Sequence, residues 1–331
     1  MPTVLIVPPP LHAETAPHVP ILRDAGFEIR HPKNLRMGRG GCDEKETIAE
    51  LRGVHAVIAG GEYYTDHVLE SLPELRVIAR AGVGFDRVDV ASATRRRIPV
   101  TITPTANHAA VAEHALALLL AVAKDVINNH SHVRSGEWAP LLTRPVRGMT
   151  LGIVGLGRVG RSVALRAAAF GMKVLATDAK PDRSFAHAHG VELVSFDDLL
   201  AHSDYVSIHC PLDESTRHLF HAETFAKMKP GSVLINTARG QIVVETDLVE
   251  ALRSGQLSAA GLDVFEKEPP DRANPLFELD NVVLSPHLSG TDDLSQQDMG
   301  IEAARCIVDL REGRWPRGAV VNEELREGWE W

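Results

Sequence analysis

Residues 149–178, MTLGIVGLGRVGRSVALRAAAFGMKVLATD, constrain this chain more than any other stretch. Thr150-Leu151-Gly152-Ile153-Val154 is a short apolar run, the pattern of a strand buried on both faces. It meets Gly155-Leu156-Gly157-Arg158-Val159-Gly160, which opens into residues 161–170, a segment rich in helix formers that stops at Gly171. Lys173-Val174-Leu175-Ala176-Thr177 reads as a second strand, with Asp178 at its carboxyl end. In such a unit Gly155 permits the tight turn, Gly157 leaves bare backbone for a pyrophosphate, and Gly160 lets the helix pack close to the strand. The helix N-terminus adds unpaired N–H groups and a partial positive charge. Asp178 falls about 20 residues after the loop opens, where a carboxylate accepts bonds from the ribose hydroxyls of NAD. A tight turn with no ligand is the plain alternative. The full succession of strand, loop, helix, strand and acid outweighs it and predicts a dinucleotide site.

The length of 331 residues favours two domains over one core. A hydrophobic share of 44% and a charged share of 24% are those of a globular protein. The net charge of -9 argues against general affinity for nucleic acid or anionic membrane. Arg95-Arg96-Arg97, the one basic run, reads as a solvated helix end. The first seven residues lack the basic start and long apolar core of a signal peptide, and no run approaches the ~20 apolar residues of a membrane span. Cys42, Cys210 and Cys306 are odd in number and widely spaced, which suits a reducing cytoplasm and supports neither a disulfide framework nor a metal site.

Before the central motif, apolar runs at 3–7, 27–30, 54–59, 76–80 and 98–102 alternate with helical patterns at 19–25, 44–51 and 65–71. That rhythm predicts a parallel, doubly wound sheet. Pro8-Pro9-Pro10 stands where a first glycine turn would be, so this unit is not expected to hold a dinucleotide. Ala81-Gly82-Val83-Gly84-Phe85-Asp86 follows a strand and suits either an anion-binding nest or an ordinary turn. Residues 108–130 read as one long helix, apolar nearly all round and so buried, here between two domains, with the first boundary near Thr103. Residues 133–147 have no clear period and read as an arm around a partner or a surface loop. Beyond Asp178, strands are expected at 191–193, 205–209, 232–236, 259–265 and 282–285, a short helix at 196–201, and a last helix at 290–312.

In an open parallel sheet the ligand lies beyond the carboxyl ends of the strands. Arg239, Glu268 and His287 each follow such a strand. A guanidinium binds a carboxylate through two parallel N–H bonds and polarises a neighbouring carbonyl. A histidine oriented by a glutamate donates the proton that a developing alkoxide needs. The set therefore fits hydride transfer to a 2-oxo acid. Singly, each residue has an ordinary reading as loop histidine, turn acid or surface cation.

Together the residues resemble the D-isomer-specific 2-hydroxyacid dehydrogenases. The resemblance rests on residues 81–86, 107–113 (NHAAVAE), 155–160, 209–212 (HCPL), 236–240 (NTARG), 261–269 (GLDVFEKEP) and 285–287 (SPH), in family order over nearly the whole chain. It implies two doubly wound parallel-sheet α/β domains, one flavodoxin-like and one a Rossmann NAD-binding domain, with an active-site cleft between them. Residues 1–103 with 288–331 would form the substrate domain and 104–287 the NAD-binding domain. It implies Arg239, Glu268 and His287 as catalytic residues, and substrate contacts from Val83, Gly84 and Asn107. It further implies that Asp263 meets the nicotinamide carboxamide, that Cys210, Thr237 and Ala238 line the cofactor cleft, and that the chain is a homodimer joined through the NAD-binding domain.

Within the family the chain looks most like phosphoglycerate dehydrogenases that lack the regulatory C-terminal extension. Arg80 stands where such enzymes carry a phosphate-binding arginine, whereas Ala59-Gly60-Gly61-Glu62 fills a loop where some carry another, and Glu62 would repel a phosphate. Glyoxylate or hydroxypyruvate reduction is the alternative, while Glu268 argues against formate oxidation, which uses glutamine there. Asp178 argues for NAD over NADP, with Lys180 and Arg183 close by as a counterweight. The family also contains C-terminal-binding corepressors, which retain the three residues and act by NAD-linked assembly. Turnover of a small 2-oxo acid separates the two readings.

Overall fold

The computed structural model describes residues 1–138 and 142–331, which form two compact units, Met1–Asn107 with Thr291–Trp331, and His108–Gly290.

The first unit is built on β1 (Thr3–Ile6), β2 (Glu28–Arg30), β3 (Ala56–Ala59), β4 (Val77–Arg80) and β5 (Val100–Thr101), all parallel in the order β2-β1-β3-β4-β5. That is the flavodoxin-like order. Alternation along each strand divides the core in two. Leu5, Val57, Ile78 and Val100 face Met37, Leu51, Tyr64 and Val68 on one side. Val4, Ile6, Ala56, Ile58, Val77 and Ala79 face Leu22, Ala303, Ala304, Ile307 and Leu310 on the other. The latter group draws the helix Asp293–Arg311 back onto this sheet. Side-chain oxygens close helix starts here, as Asp43 does for Glu44–Leu51 in a capping box with Glu46.

The crevice where strand order reverses, between the ends of β1 and β3, is filled by the chain itself. Gly61 N donates to Gly38 O at 2.8 Å, and a Cβ on Gly38 would stand 3.1 Å from Val7 O. This agrees with the missing glycine fingerprint in this unit. Arg95-Arg96-Arg97 closes a helix, Val90–Arg95, with Arg95 and Arg97 exposed as expected and Arg96 partly covered. Arg95 and Arg96 reach Asp66 at 2.9 and 2.8 Å, its carboxyl is held down to about 2 by the Ser92 hydroxyl first and then by these arginines, and Arg97 donates to Gly328 O.

The second unit carries β6 (Thr150–Val154), β7 (Lys173–Thr177), β8 (Glu192–Leu193), β9 (Tyr205–Ile208), β10 (Ser232–Asn236), β11 (Leu257–Leu262) and β12 (Val282–Leu284). They are parallel in the order β12-β11-β10-β9-β6-β7-β8, the Rossmann arrangement with one added strand and its reversal between β6 and β9.

The helix expected at 108–130 is broken. It runs His108–Ala123, turns through Asp125 at φ 49°, and resumes as Val126–Ser135. Its apolar side packs into the core of this unit. Ala112, Ala115, Leu116, Leu118 and Leu119 join the core with Leu151, Ile153 and Val163. Gly261 makes the approach possible, since a Cβ there would lie 2.9 Å from Leu118 Cβ. Of the aperiodic segment 133–147, the start continues the helix to Ser135, and residues 139–141 lie outside the described residues. The amphipathic helix Glu245–Arg253, absent from the sequence reading, packs on β11. Among the described residues no helix is long and apolar enough to cross a membrane.

Candidate active site

Because β6, β9, β10, β11 and β12 are neighbours and parallel, the loops at their carboxyl ends lie side by side along one edge of the sheet. From β6 to β12 these loops carry the glycine turn, Cys210, Thr237-Ala238-Arg239, Asp263 to Glu268, and His287.

The glycine turn is shaped by contact. Gly155 has φ +99°, and a Cβ there would fall 2.5 Å from Cys210 N. A Cβ on Gly160 would fall 2.0 Å from Gly155 O, so only glycine lets the helix lie this close. A Cβ on Gly157 would meet nothing within 4 Å, which leaves bare backbone facing open space. The helix begins earlier than expected, at Arg158, and its N-terminus has no side-chain cap. The first-turn N–H groups of Arg158, Val159 and Gly160 lie beyond the reach of intrahelical bonding. Asp178, at the end of β7, accepts Leu156 N and Lys180 N at 2.7 Å each and so ties the turn to the second strand. Further along the edge, the Thr237 hydroxyl is buried without a hydrogen-bond partner, and burial pushes the Cys210 thiol up to about 12. Open backbone at Gly157, an uncapped helix start, an acid at the β7 end and an unsatisfied hydroxyl fit a dinucleotide.

Arg239 follows β10 on a loop secured by Asn236, whose Oδ1 accepts Ala238 N at 3.0 Å and whose Nδ2 donates to Arg239 O at 2.9 Å. Its guanidinium donates to Ala238 O at 2.6 Å. Gly240 presses on the next loop: a Cβ there would lie 1.9 Å from the Phe265 carbonyl group. Beyond β11, Glu268 Oε1 accepts Phe265 N at 3.2 Å and Oε2 lies 2.7 Å from His287 Nδ1. An ionised carboxylate only accepts, so Nδ1 carries the proton of that bond and Nε2 is the atom left to exchange one. The Glu268 side chain is 18% exposed and that of His287 43%, so the acid is sheltered while the imidazole meets solvent.

Asp263, given to the nicotinamide carboxamide by the resemblance, has no exposed surface. Its carboxylate accepts Ser285 Oγ, Leu288 N and Ser289 N. Asn236, Ser285 and His114, whose Nε2 lies 2.8 Å from Ser285 Oγ, are structural members of the site without a predicted role. The first two stand inside the quoted motifs. For His114 the signal is a polar side chain that, with Glu113, interrupts the Ala- and Leu-rich helix His108–Ala123. Just before Cys210, His209 is largely buried at the end of β9, its Nε2 2.8 Å from Ser207 Oγ, and burial pushes it down to about 3.

The remaining predicted residues belong to the first unit. Residues 81–86 form an irregular loop in which Gly82 has φ +145° and donates to Thr103 Oγ1 at 2.9 Å. Arg80 Nε donates to Gly84 O at 3.0 Å. Val83 is exposed, and Asn107 closes the unit. Glu62, expected to face a substrate, is instead 1% exposed. Its carboxylate accepts Gly60 N and the Tyr64 hydroxyl, the latter at 2.7 Å, and burial raises its pKa against the opposing pull of Arg80.

The sequence model of the D-isomer-specific 2-hydroxyacid dehydrogenase NAD-binding domain matches residues 116–289. A D-3-phosphoglycerate dehydrogenase of Archaeoglobus fulgidus is 41% identical over 85% of this chain and 54% of its own length. The chain thus spans about half the length of such relatives. A hydroxypyruvate reductase of Thermotoga maritima is 42% identical over 76% of this chain and 82% of its own. Among solved structures, a D-lactate dehydrogenase from Aquifex aeolicus complexed with NAD and lactic acid superposes with a TM-score of 0.83, at 28% identity over 96% of this chain and 98% of that one. Edge, glycine turn and relatives agree: this chain belongs to the D-isomer-specific 2-hydroxyacid dehydrogenase family.

Proposed function

We propose that the protein is an NAD-dependent D-2-hydroxyacid dehydrogenase that interconverts a 2-hydroxy acid and its 2-oxo acid. The observation that carries this reading is the 2.7 Å bond between Glu268 and His287 Nδ1, on the loops after β11 and β12, the first of which adjoins the Arg239 loop after β10. NADH, when bound, supplies the hydride for the 2-oxo carbon. The Arg239 guanidinium binds the substrate carboxylate and draws electron density from the carbonyl. His287 gives the Nε2 proton to the carbonyl oxygen as it becomes an alkoxide, and in the reverse direction takes it from the hydroxyl. Glu268 holds the imidazole at Nδ1 and offsets the charge of the imidazolium. Gly155, Gly157, Arg158, Val159 and Gly160 hold the pyrophosphate by backbone, Asp178 takes the ribose, and Cys210, Thr237 and Ala238 wall the nicotinamide side. Val83, Gly84 and Asn107 contribute substrate contacts from the first unit.

For the substrate, the relatives at 41% identity support 3-phosphohydroxypyruvate, which would place the reaction in serine biosynthesis, with Arg80 on the phosphate. One observation favours a second reading, hydroxypyruvate or glyoxylate: Arg80 is engaged with Gly84 O and acts on the buried Glu62. NADH oxidation, followed by absorbance against 3-phosphohydroxypyruvate, hydroxypyruvate, glyoxylate and pyruvate, decides between them. Retention of NADH with no turnover of any would replace the enzyme by a corepressor-like binding protein.

A homodimer through the NAD-binding domain is supported by the helix Val126–Ser135, which buries no residue and exposes Val126, Ile127 and Val133, and by Trp138 and Leu142, exposed further along the chain. A monomeric mass by light scattering would exclude it. The three cysteines are all free, in keeping with a cytoplasmic protein.

A further inference from the structure

Asp263 is wholly buried at the end of β11, and the turn that carries His287 closes onto it. Its backbone carbonyl accepts His287 N at 2.8 Å, Oδ1 accepts Leu288 N at 2.9 Å, and Oδ2 accepts Ser289 N at 2.9 Å. Three successive N–H groups thus end on one residue. The clamp has something to hold, because His287 has φ 51°, a left-handed conformation that a non-glycine side chain keeps only under constraint.

The clamp is itself held from behind. Ser285 Oγ stands 2.6 Å from Asp263 Oδ1 and 2.8 Å from His114 Nε2. A hydroxyl has one proton, and a carboxylate can only accept, so Ser285 donates to Asp263 and accepts from His114. The chain of bonds therefore places a proton on His114 Nε2 and points it along Ser285 to Asp263. His114 Nε2 is also 3.6 Å from Asp263 Oδ1, close enough to act on that carboxylate directly. His114 comes from the middle of the helix His108–Ala123, which packs across β11 and β12, so a rigid element backs the turn.

We propose that His114 is a positioning residue for the reaction: through Ser285 and Asp263 it fixes the turn that aims His287 at the reacting carbonyl. The proposal rests on the reading of His287 as acid and base. It also gives Asp263 an inward task, the holding of the His287 turn.

The test compares His114→Leu, His114→Gln, Ser285→Ala and the double variant His114→Leu/Ser285→Ala on the full chain. Loss of the donor in His114→Leu, or of the link in Ser285→Ala, lowers kcat by about 10-fold while the Kd for NADH stays within about twofold, since a small misplacement of a reacting group suffices for such a loss. The Gln side chain offers an N–H near the same place and restores kcat to within about threefold of wild type. The double variant loses no more than the worse single one, because the residues act in series. Gln no better than Leu, or losses that multiply, overturn the proposal. A second measurement needs no turnover. In protein labelled at histidine with nitrogen-15 and carbon-13, the His287 ring signals, assigned by their loss in His287→Ala, shift in His114→Leu and Ser285→Ala and return in His114→Gln. Unmoved His287 signals overturn the proposal. Shifted signals in a protein that turns over no 2-oxo acid support the relay and remove the activity instead.

Discussion

A side chain that donates and retrieves a proton in one cycle needs one nitrogen committed and the other clear, and His287 meets that requirement with Glu268 on Nδ1. His287→Ala should lower kcat by about 10²–10⁴-fold, the scale of lost general acid–base catalysis, with NADH affinity largely kept. Stopped-flow or steady-state rates on the preferred 2-oxo acid check this, and equal turnover would remove His287 from the mechanism. Asp178 supports a second expectation. Its two oxygens already take backbone N–H groups at 2.7 Å, so the carboxylate is fixed at the end of β7, the place proposed above for the ribose. Asp178→Ala removes both acceptors and the charge that repels a 2′-phosphate. The ratio of kcat/KM for NAD over NADP should fall by about 10–100-fold, the worth of one to two charged hydrogen bonds. An unchanged ratio would mean that selectivity lies elsewhere, with Lys180 and Arg183 the next residues to vary. These residues were legible because each stands beside a glycine or at a strand end. The burial of Glu62 and Asp263 was not legible, because a carboxylate's neighbours come from distant segments.

At the scale of elements, the site depends on how closely two loops can lie. Gly240 opens a short turn after β10, and any Cβ there would strike the Phe265 carbonyl at 1.9 Å. The second loop is steadied from the opposite side by the helix Glu245–Arg253: Glu266 N donates to Glu245 Oε2 and Glu245 N to Glu266 Oε2, each at 3.2 Å. Gly240→Ala must therefore part the Arg239 loop from the Glu268 loop or distort both. It should cost about 1–3 kcal/mol of stability, the usual range for overpacking, and about 10²-fold in kcat through misplacement. Thermal unfolding beside kinetics reads both numbers, and a fully active Gly240→Ala would show that the loops give way freely. The helix itself was missed in the sequence because Thr246, Asp247 and Glu250 interrupt its apolar residues, although Leu248, Val249, Ala251 and Leu252 line a buried face. The break at Asp125 was missed for a related reason. Apolar residues continue past it, and a left-handed φ at an aspartate leaves no mark in the apolar pattern.

For the whole molecule, local pattern supplied strands and helices but not their neighbours. Apolar runs name β1, β3, β6 and β10, while the orders β2-β1-β3-β4-β5 and β12-β11-β10-β9-β6-β7-β8 arise from pairings between distant segments. Likewise, nothing local sends the helix Asp293–Arg311 back to the first sheet. The fit of Ala303, Ala304 and Ile307 on Ile58, Val77 and Ala79 does so. What the two units share is a histidine taken out of water in each. In the first, burial lowers the pKa of His18 and of His12, both further lowered by His31, and in the second burial pushes His209 down to about 3. Such groups stay neutral when folded and take up a proton near 6.5 when unfolded. Their stabilising contribution is therefore complete above pH 6.5 and is lost as pH falls from 6.5 toward the lowered folded values, with each group costing ~1.4 kcal/mol per pH unit within its window. Acid should accordingly weaken both units over the same range. Three of the four tryptophans, Trp315, Trp329 and Trp331, lie in the first unit, so their emission follows that unit, while far-ultraviolet circular dichroism follows both. Urea midpoints taken from pH 8 to pH 4.5 should fall in both signals below pH 6.5. In His209→Asn the dichroism midpoint should fall less steeply, by about one proton, while the emission midpoint keeps its slope. An identical dichroism slope in His209→Asn would show that His209 is not the group that acid must charge in the second unit.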